Sequence, residues 1–124
     1  MIKIAIATED EKTVSDKPLT EASKFKIYTL DVEGKQLVSE DVRENMIGTK
    51  SEDEENACKL LLERVLNDVN VVIASMCTRY SYYYLLSNNV QVLLVEEGTP
   101  IELVEEYLRR ALEEIELEEE EYGA

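Results

Sequence analysis

The sequence predicts a three-layer α/β fold around a mixed five-stranded sheet, and three observations lead there. Five short runs rich in aliphatic and β-branched residues occupy positions 2–7, 25–32, 35–42, 70–74 and 90–95. Between and after the last three lie segments whose apolar residues recur at helical spacing. Two of those helices open on capping signatures, Ser51-Glu-Asp-Glu54 and Thr99-Pro100-Ile-Glu102.

The first run, Ile2-Lys-Ile-Ala-Ile-Ala7, is apolar on both faces and reads as a central strand. Residues 11–23 show no period and contain Pro18, so they form a loop. Glu33-Gly34 then joins the second and third runs as a hairpin. The third run is rich in charge, as an outer strand should be. Behind the first capping box, Cys58, Leu61, Leu62, Val65 and Leu66 line one helical face. Residues 70–74 and 90–95 read as buried parallel strands. Residues 79–87 form a Tyr-rich helix stopped by Asn88-Asn89, where Asn takes the left-handed conformation. Ile101, Val104, Leu108, Leu112 and Ile115 line the last helix. Glu118 to Glu121 pile like charge at its negative end. Residues 1–117 therefore form one domain, and 118–124 an acidic, frayed tail. The hairpin makes the first three strands antiparallel, and right-handed helical crossovers set strands four and five parallel to strand one. The natural strand order is 3-2-1-4-5, as in ribonuclease H-like folds.

Composition narrows the function. Thirteen Lys and Arg against 28 Asp and Glu leave a formal charge of −15 in 124 residues. Such a field repels phosphate backbones, which excludes nucleic acid as a partner. It disfavours anionic membrane surfaces as well, and no apolar run is long enough to span a bilayer. Two cysteines are too few for a disulfide framework, which points to a reducing cytoplasm. Histidine is absent, so His catalysis and His metal ligation are excluded.

Open α/β sheets bind ligands beyond the carboxyl ends of their strands, where connections diverge. Here that switch point lies between strands one and four. Thr8, Glu9 and Asp10 line it from one loop, and Ser75, Met76, Cys77, Thr78 and Arg79 from the other. The second loop feeds a helix N-terminus, which attracts anions and lowers the pKa of a thiol placed there. Cys58, on an apolar face, reads as core. Cys77, without a neighbouring Cys or any His, suits either a structural role or a site. The acidic Glu9-Asp10-Glu11 reads as a solvated loop. Tyr80, Tyr82, Tyr83 and Tyr84 cannot all face one core, so this helix offers a surface for a second copy or a protein partner.

Met1-Ile-Lys-Ile-Ala-Ile-Ala-Thr8, Val14-Ser15, Phe25-Lys-Ile-Tyr28, Val71-Val-Ile-Ala74 and Gly98-Thr-Pro100 together resemble the dinitrogenase iron-molybdenum cofactor biosynthesis family. The resemblance runs along nearly the whole chain and implies a ribonuclease H-like fold. It also implies binding or carriage of iron-sulfur-type cofactor precursors. Where the family usually has His-Phe-Gly after Val-Ser, this chain has Asp16-Lys-Pro-Leu19. In place of the family's Gly-rich turn after the fourth strand stands Ser75-Met-Cys-Thr-Arg79.

Two functions follow as expectations. One is a non-enzymatic carrier or scaffold for an iron-sulfur-type cluster or another small anion, held at Thr8, Ser15, Ser75, Cys77, Thr78 and Arg79, with Cys77 as the metal ligand. The alternative is an interaction or regulatory module without cofactor, using the Tyr80–Tyr84 helix. A two-metal nuclease is rejected, because strand one offers only apolar residues and Lys3 where carboxylates would have to converge.

Overall fold

A computed structural model of the chain describes residues 1–47 and 53–123, with the side chains of Glu40 and 115–123 left out. The strands are β1 (Ile2–Thr8), β2 (Lys24–Asp31), β3 (Gln36–Glu44), β4 (Val71–Ala74) and β5 (Gln91–Leu94). The helices are α1 (Glu54–Arg64), α2 (Arg79–Ser87) and α3 (Ile101–Gly123), with a 3-10 turn at Leu19–Glu21. The sheet runs β3-β2-β1-β4-β5. β1 pairs antiparallel with β2 and parallel with β4, and β5 continues the parallel side.

β1 explains the layering. Its alternation sends Ile4 and Ile6 to one face, against Ile101, Val104, Leu108 and Leu112 of α3. Ala5 and Ala7 face the other way, where Leu61 of α1 and Leu85 of α2 complete a second core. Small alanines thus lie on the face that carries two helices. Tyr28 is buried on the α3 face, and its hydroxyl donates to the Glu105 carboxylate. Arg43 of β3 reaches across to Asp68 at 2.6 Å and to the Val65 carbonyl at 2.8 Å, tying the outer strand to the end of α1.

Local signals worked where chemistry is local. In the hairpin the Gly34 N–H donates to Asp31 at 3.0 Å, and a Cβ on Gly34 would meet that carboxylate at 2.5 Å. Asn89, at φ 65°, ends the α2 segment in the left-handed region. Three expectations need correction. α1 is capped by Asp53, which accepts from the Glu55 N–H at 3.1 Å, so the helix starts later than a Ser51 cap requires; Ser51 lies outside the described residues. The Thr99 hydroxyl donates back to the Glu96 carbonyl at 2.5 Å, and the first turn of α3 closes instead on the Pro100 carbonyl. β5 is an edge strand with Leu93 and Leu94 exposed, because no further strand covers it.

Among the described residues no helix is long and apolar enough to cross a membrane. The layering makes a stability prediction. Leu61→Ala should cost about 2–5 kcal/mol, since that side chain is sealed between α1 and the sheet. Leu86→Ala, on the exposed side of α2, should cost less than about 0.5 kcal/mol. Urea unfolding midpoints compare the two directly, and equal losses would contradict the layering.

Candidate functional site

The switch point between β1 and β4 is where the sequence places a crevice, and the chain itself closes it. After β1 the backbone turns back on itself. Thr8 and Val14 bridge antiparallel, and the Ser15 N–H donates to the Ala7 carbonyl at 2.9 Å. The same segment is held from the far side: Val14 N–H donates to the Thr99 carbonyl at 2.9 Å, and Gly98 N–H to Val14 at 3.0 Å. It is tied to the end of β4 as well. The Ser75 hydroxyl donates to the Ser15 carbonyl at 2.5 Å, and Leu19 N–H to the Met76 carbonyl at 3.0 Å. Pro18 is extended, at φ −54° and ψ 148°, and delivers Leu19 into the core with 1% of its surface exposed.

This closure consumes half of the expected site. The buried Thr8 hydroxyl donates to the Thr13 carbonyl at 2.6 Å and accepts from the Glu11 N–H at 2.9 Å. That contact fixes a tight loop in which Glu11 takes φ 64°. Ser15 is buried too; its hydroxyl donates to Glu9 at 3.1 Å and accepts from the Lys17 N–H at 3.1 Å. Thr8, Ser15 and Ser75 therefore act on the loop.

Glu9 is the hub of this cluster. Its carboxylate accepts from the Ser23 N–H at 2.7 Å and the Ser23 hydroxyl at 2.6 Å, and pairs with Lys17 at 2.8 Å. Burial alone would raise its pKa, but Lys17, Ser23 and Ser15 together outweigh burial and bring it down to about 2. Asp10, held by the N–H groups of Lys12 and Thr13, is lowered to about 2 as well. Both line a depression of about 380 Å³ with Asp16 and Glu97, whose field opposes anions. Among the described residues no group of three His, Cys, Asp or Glu side chains could hold a metal ion.

The other three expected residues sit at the start of α2. Thr78 is its N-cap and accepts from the Ser81 N–H at 3.2 Å. Its hydroxyl donates to Glu54 of α1, and the Ser81 hydroxyl donates to the same carboxylate at 3.1 Å. Glu54 thus puts a carboxylate of the protein at the helix N-terminus where an anionic ligand was expected. Arg79 is exposed and meets no carboxylate among the described residues. In the sequence Glu54 shows only as half of a capping box of its own helix, and the signal for Ser81 is Thr78-x-x-Ser81.

Cys77 departs from expectation. A helix N-terminus should lower its pKa, yet burial, then Cys58 and Glu54, push it up to about 11. The thiol is half-buried against the α1/α2 core and donates weakly to the Thr78 carbonyl at 3.3 Å. Cys58 is buried, as read from its helical face. Its sulfur lies 3.0 Å from the Ser81 hydroxyl, and burial raises its pKa. Both cysteines are free.

A pH prediction follows from Glu9. Its folded pKa lies below the ordinary 4.5, so the native state resists protonation. The stability it contributes is fully present above the unfolded pKa and is lost as pH falls toward about 2. Glu9→Gln should lower the urea midpoint at neutral pH and flatten its fall through this range. Parallel curves for wild type and variant would contradict the assignment.

Comparisons with known proteins bear on the fold and the family. The solution NMR structure of a Thermotoga protein, named as a NifB candidate of the DUF35 family, is similar at 26% identity and a TM-score of 0.57, covering 86% of this chain and 87% of that one. The crystal structure of PH0822 shares the fold, at a TM-score of 0.63, over 90% of this chain and 88% of that one, with 16% identity. No curated protein matches the chain. The profile of the family described as dinitrogenase iron-molybdenum cofactor matches residues 1–110. The chain belongs to the dinitrogenase iron-molybdenum cofactor family.

Proposed function

We propose that the chain serves its family's cofactor handling as a non-enzymatic interaction module, engaging protein rather than ligating a cluster through its own side chains. One observation carries the reading: the crevice expected to hold a ligand is crossed by residues 13–19, with Ser15 and Leu19 bonded to the end of β4. The donor set supports it. The sequence has no His, and its more accessible thiol, Cys77, has a pKa pushed up to about 11. A cluster is held by several soft ligands, and among the described residues no group of three His, Cys, Asp or Glu side chains comes together around Cys77 or elsewhere. These residues do not fit an iron-sulfur-type cluster within one chain.

The contact surface in this reading is α2. Tyr80, Tyr82 and Tyr83 are exposed beside Leu86, with Tyr80 stacked on Tyr84 and Tyr82 edge-on to Tyr83. Large, rigid aromatic side chains supply contact area at low entropic cost. The sheet order and its antiparallel first half support the ribonuclease H-like class. Two free cysteines favour a reducing cytoplasm.

The test is anaerobic expression with iron and sulfide, then metal analysis and an absorption spectrum of wild type and Cys77→Ser. The reading predicts metal-free protein that takes up no cluster on reconstitution. A stoichiometric cluster that disappears in Cys77→Ser would overturn it and establish the carrier function instead.

A further inference from the structure

The two edges of the sheet are built differently. β3 is blunted in the usual ways: its pairing with β2 breaks register between Ile27 and Tyr28, and it carries Asp41, Arg43 and Glu44. β5 has none of these devices. Gln91-Val-Leu-Leu94 is regular, uncharged and free of proline, with Leu93 42% and Leu94 58% exposed. On the α3 side it borders an apolar groove of about 340 Å³, flanked by Leu103 and Tyr107, which are 55% and 64% exposed.

We propose that β5 pairs antiparallel with β5 of a second copy across a two-fold axis at Leu93, joining two sheets into one of ten strands. The hydrogen-bonding pattern sets this register. Gln91 N–H donates to Asn70 and Val95 N–H to Ala74, so odd-numbered residues of β5 face β4. The N–H and C=O groups of Val92 and Leu94 consequently point away from the sheet. A two-fold at Leu93 sets Val92 opposite the second copy's Leu94, and each such pair exchanges two hydrogen bonds. All of these outward groups are then satisfied. A two-fold at Val92 would instead set Leu94 opposite Val90, whose N–H is already bonded to the Leu85 carbonyl. At Leu93 the two copies of the residue form the closely spaced, non-hydrogen-bonded pair on the α3 face, between Leu103 and Tyr107.

Self-complementarity decides the occupant, since the outward groups of Val92 and Leu94 answer those of a second β5 one for one, and charge permits it. A chain of formal charge −15 repels its own copy unless the contact keeps carboxylates apart. In this register Glu96 stands opposite Val90 and Glu97 opposite Asn89, so no carboxylate meets another across the strand pair. The contact is isologous and closes at two copies, with no free edge for further growth at β5. It stands apart from the reading of cofactor handling, since it touches neither the β1/β4 loop nor Cys77.

Sedimentation equilibrium combined with amide hydrogen exchange tests the proposal on the full chain. Association should tighten as salt rises, because residual repulsion is screened over roughly 10 Å at 0.1 M. The Val92 and Leu94 amides should exchange more slowly as protein concentration increases. Leu93→Lys should abolish both effects, whereas Tyr83→Lys on α2 should leave them intact. A chain that stays monomeric at every salt and protein concentration would overturn the proposal. So would a dimer in which the Val92 and Leu94 amides exchange at the monomer's rate, or one abolished by Tyr83→Lys and not by Leu93→Lys.

Discussion

The backbone at the carboxyl ends of β1 and β4 must satisfy its polar groups, and the way it does so governs the rest of the molecule. Parallel strands leave N–H and C=O groups unpaired where their connections diverge, and in many α/β proteins a ligand or water takes them. Here residues 13–19 take them, bonded at once to Ala7, to Ser75 and Met76, and to Gly98 and Thr99. One stretch of loop therefore joins the ends of three elements and fills the space between them. Thr8, Ser15 and Ser75, half of the side chains read as a binding set, help to hold it there.

Charge follows the same pattern. Glu9 and Glu54 are the two carboxylates that matter locally, and each is spent inside the structure. Glu9 gathers Ser15, Lys17 and Ser23 around the loop. Glu54 gathers Thr78 and Ser81 at the start of α2. The site that should have offered a positive helix end and an activated thiol to an anion instead carries a carboxylate and a thiol held protonated. At this end of α2 the positive group among the described residues is the exposed guanidinium of Arg79. In the reading we propose, that combination is the reason for contact with other protein over cofactor ligation.

Much of the fold was legible because its signals are local and periodic. The Ile/Ala alternation of β1, the spacing of Cys58, Leu61 and Val65, and the Asn88-Asn89 stop each encode one element without reference to any other. The meeting place of the loops that follow β1 and β4 was legible from element order. Its chemistry was not. Whether Thr8 and Ser15 face a ligand or their own loop depends on hydrogen bonds to Thr13, Glu9 and Lys17 that leave no periodic trace. The sequence shows Cys77 only its chain neighbours, whereas burial against the α1/α2 core, then Cys58 and Glu54 brought in by α1, set its environment. β5 read as buried from its apolar run, because a sequence shows hydrophobicity and not which strand lies at the edge.

The closed crevice is tested most directly by amide hydrogen exchange at Ser15 and Leu19, whose N–H groups bond to Ala7 and Met76. If the loop is a fixed part of the sheet's end, these two amides exchange only with the opening of the domain, as slowly as core amides of β1. Exchange at the rate of an exposed loop, with β1 still protected, would mean that the crevice opens in the native state and is available to a ligand.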